Sequence, residues 1–169
     1  PGVCIEVLVP DFKGDEVSIK RVLAAGPEVF AHNIEMVPRF YPAVRPKSNY
    51  EVSLGVLRFA KLCGEILTKS SLVLGFGEKE PEVVKVMEDL AGSGCDILVL
   101  GQYLKPLSEM YDVTEFVKPE KFGYFKKIAL KMGFKAVLSE PFARTSYKAQ
   151  EVFREAQTAN IYNKAKAEA

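Results

Sequence analysis

The chain has 169 residues and a formal net charge of +1, which is the length of one ordinary domain without an excess of either charge. Hydrophobic residues make up 48% and charged residues 27%, a balance typical of a globular protein and not of a disordered chain. The composition therefore favours neither a nucleic-acid-binding surface nor a polybasic membrane patch. The apolar runs have about strand length, well short of the roughly 20 residues of a membrane span, so we expect no membrane partner.

Strand-like and helical patterns alternate along the chain. Runs rich in β-branched and apolar residues predict five strands, at residues 3–9, 29–32, 66–74, 96–100 and 135–139. Apolar residues at helical spacing predict a helical turn at 35–41 and five longer helices, at residues 15–25, 48–63, 80–91, 119–132 and 147–164. We expect Asp15 to cap the first helix and Ser48 to cap the second, with Glu51 three residues after Ser48.

This alternation, with its short connections, predicts a parallel sheet covered by helices. Five strands favour a slice of a β/α barrel, and a complete doubly wound sheet is the alternative. The chain starts at Pro1, without a Met and directly in a strand-like segment, so we expect it to be a truncated part of a longer protein. In either arrangement, functional residues collect in the loops that follow the carboxyl ends of the strands.

The three cysteines, Cys4, Cys63 and Cys95, are far apart and lie in apolar surroundings. We interpret them as buried free thiols in a reducing compartment. The sequence contains no C-x-x-C pattern and no Cys/His cluster, so we expect the chain alone to hold no ordinary metal site.

Each predicted strand is followed by a polar or glycine-rich segment. Taken singly, these segments have ordinary explanations. His32 is the only histidine, and a lone histidine beside a strand is more often a structural group than a catalytic one. Residues 75–78 (GFGE) lack the full dinucleotide or Walker pattern, so alone they are weak evidence for phosphate binding. Ser146 has the residue type of an N-cap for the last helix.

Taken together, the segments resemble lipoyl synthases in order and spacing, over residues 5–149. The resemblance rests on IEVLVPDFKGD, VFAHNIEMVPRFY, VRPKSNYEVSL, LTKSSLVLGFGE, DILVLGQYLKP and ARTSYKA. Of these, TKSSLVLGFGE, LGQYLKP and RTSY are specific motifs. The resemblance implies that residues 1–149 form the C-terminal half of a partial (β/α) barrel of the radical S-adenosylmethionine type, and that residues 150–169 form a C-terminal helix or tail.

Lipoyl synthases use one [4Fe–4S] cluster to cleave S-adenosylmethionine, and the resulting radical abstracts hydrogen from two carbons of a protein-bound octanoyl chain. A second, auxiliary [4Fe–4S] cluster supplies the two inserted sulfur atoms. The resemblance thus implies an octanoylated lipoyl-carrier protein, of the lipoyl-domain or glycine-cleavage H-protein type, as substrate. It also implies an electron donor such as ferredoxin or flavodoxin, and a location in the cytoplasm, the mitochondrial matrix or the plastid stroma.

Four polar residues near the strand ends acquire roles from this resemblance. Asn33 and Glu35 resemble the family's contacts to the methionine and ribose portions of S-adenosylmethionine. An amide and a carboxylate suit this role because they pair with hydroxyl and ammonium groups. Lys69 and Gln102 are further candidates, for contacts to a carboxylate or to the ribose inside the barrel.

Residues 71–78 resemble the motif that supports the adenine in radical S-adenosylmethionine enzymes. The implied contacts are Val73, Gly75 and Glu78, and Ser71 stands where that motif usually has glycine. We expect Gly75 to let the backbone approach the adenosyl group closely, because glycine has no Cβ.

The segment RTSY resembles the family's Arg-Ser-Ser-Tyr motif, whose serine ligates the auxiliary cluster. Thr145 replaces the first serine, so the implied ligand is Ser146. The family's cluster cysteines, a C-x₄-C-x₅-C set and a C-x₃-C-x₂-C set, do not occur in this sequence. We therefore expect the isolated chain to bind no cluster and to be inactive.

Two alternatives remain from the sequence. A biotin-synthase-like sulfur-inserting enzyme fits Asn33, Glu35 and the Gly75 loop, but it does not fit RTSY or LGQYLKP. A non-catalytic remnant, or the carrier-binding half of a split enzyme, is not excluded by anything in the composition.

Overall fold

The computed structural model describes residues 2–167 and contains one sheet whose strands alternate with helices. The strands are β1 (Glu6–Leu8), β2 (Val29–Ala31), β3 (Leu67–Leu74), β4 (Ile97–Gln102) and β5 (Ala136–Ser139). The helices are α1 (Glu16–Ala24), α2 (Tyr41–Val44), α3 (Tyr50–Leu62), α4 (Glu80–Gly92), α5 (Pro119–Lys131) and α6 (Ala149–Ala167). Short 3₁₀ turns span Phe12–Gly14 and Pro38–Phe40. Each predicted strand and long helix is therefore present, with β1 much shorter than expected.

All five strands are parallel, and their order in the sheet is the same as their order in the chain. Right-handed crossovers that always advance in one direction place the connecting helices on one face of the sheet. This topology is that of a partial (β/α) barrel, as the sequence predicted. The doubly wound alternative was wrong, because it requires a reversal of strand order within the sheet.

The two faces of the sheet bury different partners. The outer face carries Leu72, Leu98 and Val137, which pack against apolar residues of α3, α4 and α5. The inner face is lined near the starts of the strands by Leu67, Ile97 and Ala136, and there it packs against Val152 and Ala156 of α6. The terminal helix therefore closes the inner face at the amino-terminal ends of the strands and leaves their carboxyl ends accessible.

The first helix cap agrees with the sequence prediction and the second does not. Asp15 accepts a hydrogen bond from the backbone N–H of Ser18, as an N-cap should. At the start of α3, the cap is Asn49, whose side chain accepts from the N–H of Val52 at 3.0 Å. The prediction of Ser48 was wrong because α3 begins at Tyr50, and the N-cap is the residue directly before the first helical one.

All three cysteines are free, as predicted, but the prediction that they are buried was correct only for Cys95. Cys95 is buried just before β4, and burial raises the pKa of its thiol to about 12. Cys4 and Cys63 are exposed, because Cys4 precedes the short β1 and Cys63 follows the last residue of α3. Within the described part of the chain, none of the helices has the length and apolar character needed to cross a membrane.

Candidate functional site

Two adjacent cavities lie at the carboxyl ends of the strands. The larger has a volume of about 860 Å³ and the smaller of about 380 Å³. Glu35 and Arg45 line both cavities and form the wall between them. Of the site residues implied by the resemblance, four line these cavities: Asn33, Glu35, Val73 and Gln102.

Glu35 occupies this shared wall in a strained backbone conformation, with φ of +68°. Such a conformation costs a non-glycine residue on the order of 1 kcal/mol, so other contacts must hold it. The Glu35 N–H donates to the carbonyl of Ser71 at 2.8 Å, and its carbonyl accepts from the N–H of Val73 at 2.7 Å. These two bonds extend the β2–β3 pairing by one bridge and fix the Glu35 side chain at the junction of the cavities.

Asn33 has its amide hydrogens engaged and its amide oxygen free. The Nδ2 atom donates to Thr145 Oγ1 at 2.8 Å and to Glu35 Oε1 at 3.3 Å. The Oδ1 atom is buried and has no hydrogen-bond partner. A buried acceptor without a donor is costly in a protein, so this atom is a natural contact for a ligand that brings a donor.

His32 lies beside Asn33 in the wall of the smaller cavity. Its Nδ1 is 2.9 Å from the carbonyl oxygen of Val9, and its Nε2 is buried without a partner. Burial lowers the pKa of His32, so the imidazole is neutral near pH 7, with Nδ1–H donating to Val9. This hydrogen bond agrees with the structural interpretation of the histidine, and Nε2 is left as an acceptor.

The glycine-rich loop after β3 is closed by its own glutamate. The Glu78 carboxylate accepts from the N–H groups of Gly75 at 2.9 Å and of Phe76 at 3.2 Å. Gly75 has φ of +128°, and a Cβ there would lie 2.3 Å from Gln102 Nε2 and 2.9 Å from the carbonyl oxygen of Glu115. We expected the missing Cβ of Gly75 to leave space for a ligand. On the side where a Cβ would lie, that space is taken by Gln102 and the backbone of Glu115.

Gln102 holds the long loop of residues 103–118 against the sheet. Its Nε2 donates to the carbonyls of Tyr103 and Glu115, and its Oε1 accepts from the N–H of Val117. These bonds fix a wall of the larger cavity. The same loop adds Tyr103, whose ring stacks on Phe76 with centroids 4.1 Å apart.

Lys69 lies deeper, on the inner face of β3, and is fully buried. Its Nζ atom is 2.8 and 2.9 Å from the two carboxylate oxygens of Glu6. Lys69 therefore forms its ion pair with Glu6 of the same chain. It lies below the two cavities, away from Asn33 and Glu35 in their walls.

Ser146 lies in an exposed turn between β5 and α6. The α6 helix begins three residues later, at Ala149, so Ser146 is too early in the chain to be its N-cap. Across residues 2–167, no group of three or more His, Cys, Asp or Glu side chains is arranged to hold a metal ion. Ser146 is thus exposed and does not line either cavity; its neighbour Thr145 is hydrogen-bonded to Asn33, which does.

Sequence reasoning missed three contributors to the site. Thr145 bonds Asn33 across 112 positions, and such a distant pairing gives no local signal. Arg45 stands in the segment VRPKSNYEVSL, but no role was assigned to it there. The aromatic wall was indicated only by Tyr103 in LGQYLKP, while Tyr111 stands outside every recognised motif; both rings lie against Phe76.

Comparison with known proteins shows which proteins the chain is similar to. No family model matches the chain. The lipoyl synthase of Rubrobacter xylanophilus is 49% identical over 158 residues, which are 93% of this chain and 49% of that protein. The lipoyl synthase of Aquifex aeolicus is 49% identical over 87% of the chain, and that of Pyrobaculum aerophilum is 47% identical over 95%. The chain spans about half the length of these curated relatives. By sequence, it matches the C-terminal half of the lipoyl synthases.

Proposed function

We propose that this chain supplies the C-terminal half of a lipoyl synthase active site and that its two cavities receive S-adenosylmethionine and the octanoyl substrate. One observation carries the proposal. The unpartnered Oδ1 of Asn33 and the strained Glu35 meet at the carboxyl ends of the strands, where β/α barrels bind their ligands. The high identity to lipoyl synthases on both sides of these residues supports the same conclusion.

The residues present fit S-adenosylmethionine. A ribose hydroxyl is the kind of donor that the buried Asn33 Oδ1 lacks, and the Glu35 carboxylate accepts from a hydroxyl or an ammonium group. Val73 supplies an apolar surface at the base of the larger cavity. Three further residues support the site indirectly: their hydrogen bonds and close packing fix the loops that form the cavity walls. These residues are Gly75, Glu78 and Gln102. When bound with its [4Fe–4S] cluster, S-adenosylmethionine supplies the oxidising power that hydrogen abstraction requires.

For the auxiliary cluster, this chain offers one oxygen ligand. Ser146 is exposed on a turn whose neighbour Thr145 is hydrogen-bonded to the cavity wall. An alkoxide is a hard ligand for an iron that ordinarily prefers thiolate, which favours release of that iron from a cluster that gives up its sulfur. The remaining ligands, and those of the radical-generating cluster, would come from outside the described residues.

The sheet itself is consistent with half of a larger barrel. Within residues 2–167, β1 and β5 each pair on one side only. Ile5, directly before β1, and Leu8, its last residue, are more than half exposed. Unpaired strand edges and exposed apolar side chains are unfavourable in water, so we infer that further strands continue the sheet from β1.

The partners follow from this function. We propose an octanoylated lipoyl-carrier protein as substrate and a ferredoxin or flavodoxin as electron donor. The compartment would be one that assembles iron–sulfur clusters, which is the cytoplasm in bacteria and the mitochondrial matrix or plastid stroma in eukaryotes.

A chimera tests the proposal directly. This chain replaces the matched half of the Aquifex aeolicus lipoyl synthase, and mass spectrometry follows the conversion of an octanoylated carrier to its lipoylated form. We expect the chimera to form lipoyl product and the Glu35→Gln chimera to form much less. A chimera that folds and binds both clusters, but yields no product, would contradict the proposal.

A further inference from the structure

The side-chain amide of Asn33 is held between the Thr145 hydroxyl and the Glu35 carboxylate. Thr145 Oγ1 lies 2.8 Å from Nδ2, and Glu35 Oε1 lies 3.3 Å from the same atom. A carboxylate oxygen only accepts hydrogen bonds, so an amide turned the other way would set Oδ1 against Glu35. The Glu35 carboxylate therefore selects which end of the amide turns toward it. The shorter bond to the Thr145 hydroxyl, a group that can both donate and accept, holds the amide in that orientation, with the unpartnered Oδ1 facing away.

Thr145 reaches this position on a segment that the sheet holds in place. Ala143 is buried, and its carbonyl oxygen lies against Gly101, where a Cβ would approach it to 2.2 Å. The Ala143 N–H donates to the carbonyl of Glu140, and the Lys148 Nζ lies 3.1 Å from Glu140 Oε1. Contacts on both sides of Thr145 thus fix the turn that presents its hydroxyl to Asn33.

We propose that Thr145 is a positioning residue for S-adenosylmethionine: its hydroxyl orients the Asn33 amide so that Oδ1 faces the hydroxyl donors of the cofactor. This inference rests on the proposed function and extends it to a residue that touches no ligand. Because Thr145 directly precedes Ser146, the same hydrogen bond joins the turn that carries the proposed cluster ligand to the cofactor cavity. A displacement of that turn therefore weakens cofactor binding, and a bound cofactor holds the turn in place.

Thr145→Val is the informative variant, because valine keeps the branched shape and removes the hydroxyl. In the chimera, we expect S-adenosylmethionine to bind about tenfold more weakly, since an amide hydrogen loses its partner and the amide loses its orientation. Thr145→Ser restores the hydroxyl and should restore the affinity. Isothermal titration calorimetry measures the dissociation constants, and the melting temperature of each variant reports on folding.

Thr158→Val is the matched control. Thr158 is exposed on α6, and its hydroxyl donates within that helix to the carbonyl of Arg154. This substitution should leave the affinity for S-adenosylmethionine unchanged.

The outcomes separate this inference from the proposed function. Weaker binding in Thr145→Val, restored in Thr145→Ser at an unchanged melting temperature, supports the positioning role. Equal affinity in wild type and Thr145→Val overturns it and leaves the proposed function standing. A serine variant as weak as the valine variant also overturns it, because the hydroxyl would then not be the determinant. A wild-type chimera that does not bind S-adenosylmethionine overturns both.

Discussion

Lys69 and Glu6 form an ion pair on the inner face of the sheet, with Lys69 Nζ 2.8 and 2.9 Å from the two carboxylate oxygens. The lysine side chain is 1% exposed and the glutamate side chain 17% exposed. Removing one partner from a buried pair leaves an uncompensated charge, so we expect Glu6→Gln to lower the free energy of unfolding by about 3–5 kcal/mol. Urea denaturation of the chain measures this loss.

The double variant Glu6→Gln/Lys69→Met removes both charges and should recover most of the lost stability. Lys85→Met is the control, because Lys85 and Asp89 form an exposed pair whose loss should cost no more than about 0.5 kcal/mol. A double variant as unstable as Glu6→Gln would show that the buried charge of Lys69 is not the cause.

Asp96 makes stability depend on pH. Burial raises the pKa of this carboxyl, but hydrogen bonds from Lys135, Lys61 and the Thr68 N–H together outweigh burial, and the net pKa lies below the ordinary value of 3.8. A lowered folded-state pKa contributes stability that is fully present above the unfolded value and is lost as pH falls through the folded value.

We therefore expect the free energy of unfolding of the wild type to fall more steeply below pH 3.8 than that of Asp96→Asn. At neutral pH, the variant should be less stable, because two lysines lose their shared partner. Urea unfolding across this pH range compares the two proteins. Parallel curves below pH 3.8 would contradict the assignment to Asp96.

Because Gly101 has no Cβ, the segment that carries Thr145 can pack directly against it. A Cβ at this position would lie 2.2 Å from the backbone carbonyl oxygen of Ala143, so Gly101→Ala must displace residues 140–148. We expect a loss of about 1–3 kcal/mol in the free energy of unfolding, as is typical of overpacking. Gly123→Ala is the control: it lies inside α5 with nothing within 4 Å of a Cβ, so alanine should be neutral or slightly stabilising. Equal effects at the two glycines would contradict the steric explanation.

Ser146→Cys tests the role of the exposed turn. Thiolate binds iron more firmly than alkoxide, so in the chimera we expect cluster content to be unchanged and sulfur insertion to be suppressed. Ser146→Thr keeps an oxygen ligand and should retain activity. Iron analysis and mass spectrometry of the carrier give the two readouts. An unchanged yield of lipoyl product from Ser146→Cys would contradict a ligand role for Ser146.

The secondary structure could be predicted well because each element carries its own periodic signal. The runs of β3 and β4 are long and apolar, and α4 and α5 are bounded by proline at their starts. The start of β1 was less clear, because Val3 and Ile5 are apolar and strand-like but lie before Glu6, where the ladder with β2 begins. The cap of α3 was misassigned because Ser48 and Asn49 are both good capping residues, and only the helix start distinguishes them.

The site was predictable where a motif carried it and not where distant segments meet. Asn33 and Glu35 stand together in one motif, and both line the cavities. The hydrogen bond from Asn33 to Thr145 depends on the sheet bringing β2 and the end of β5 to the same edge, which no local pattern encodes. The pairing of Lys69 with Glu6 is a similar case, because their strands, β3 and β1, are separated by β2 in the sheet.

The most direct test of a cofactor site in this chain compares two chimeras, the wild type and Asn33→Leu. The quantity measured is the affinity of each for S-adenosylmethionine. Leucine has a similar size but lacks the buried Oδ1 acceptor. We predict that the wild-type chimera binds S-adenosylmethionine and that Asn33→Leu binds at least about tenfold more weakly at a similar melting temperature. Equal affinity for the two proteins, or no binding by the wild type, would contradict the cofactor site proposed here.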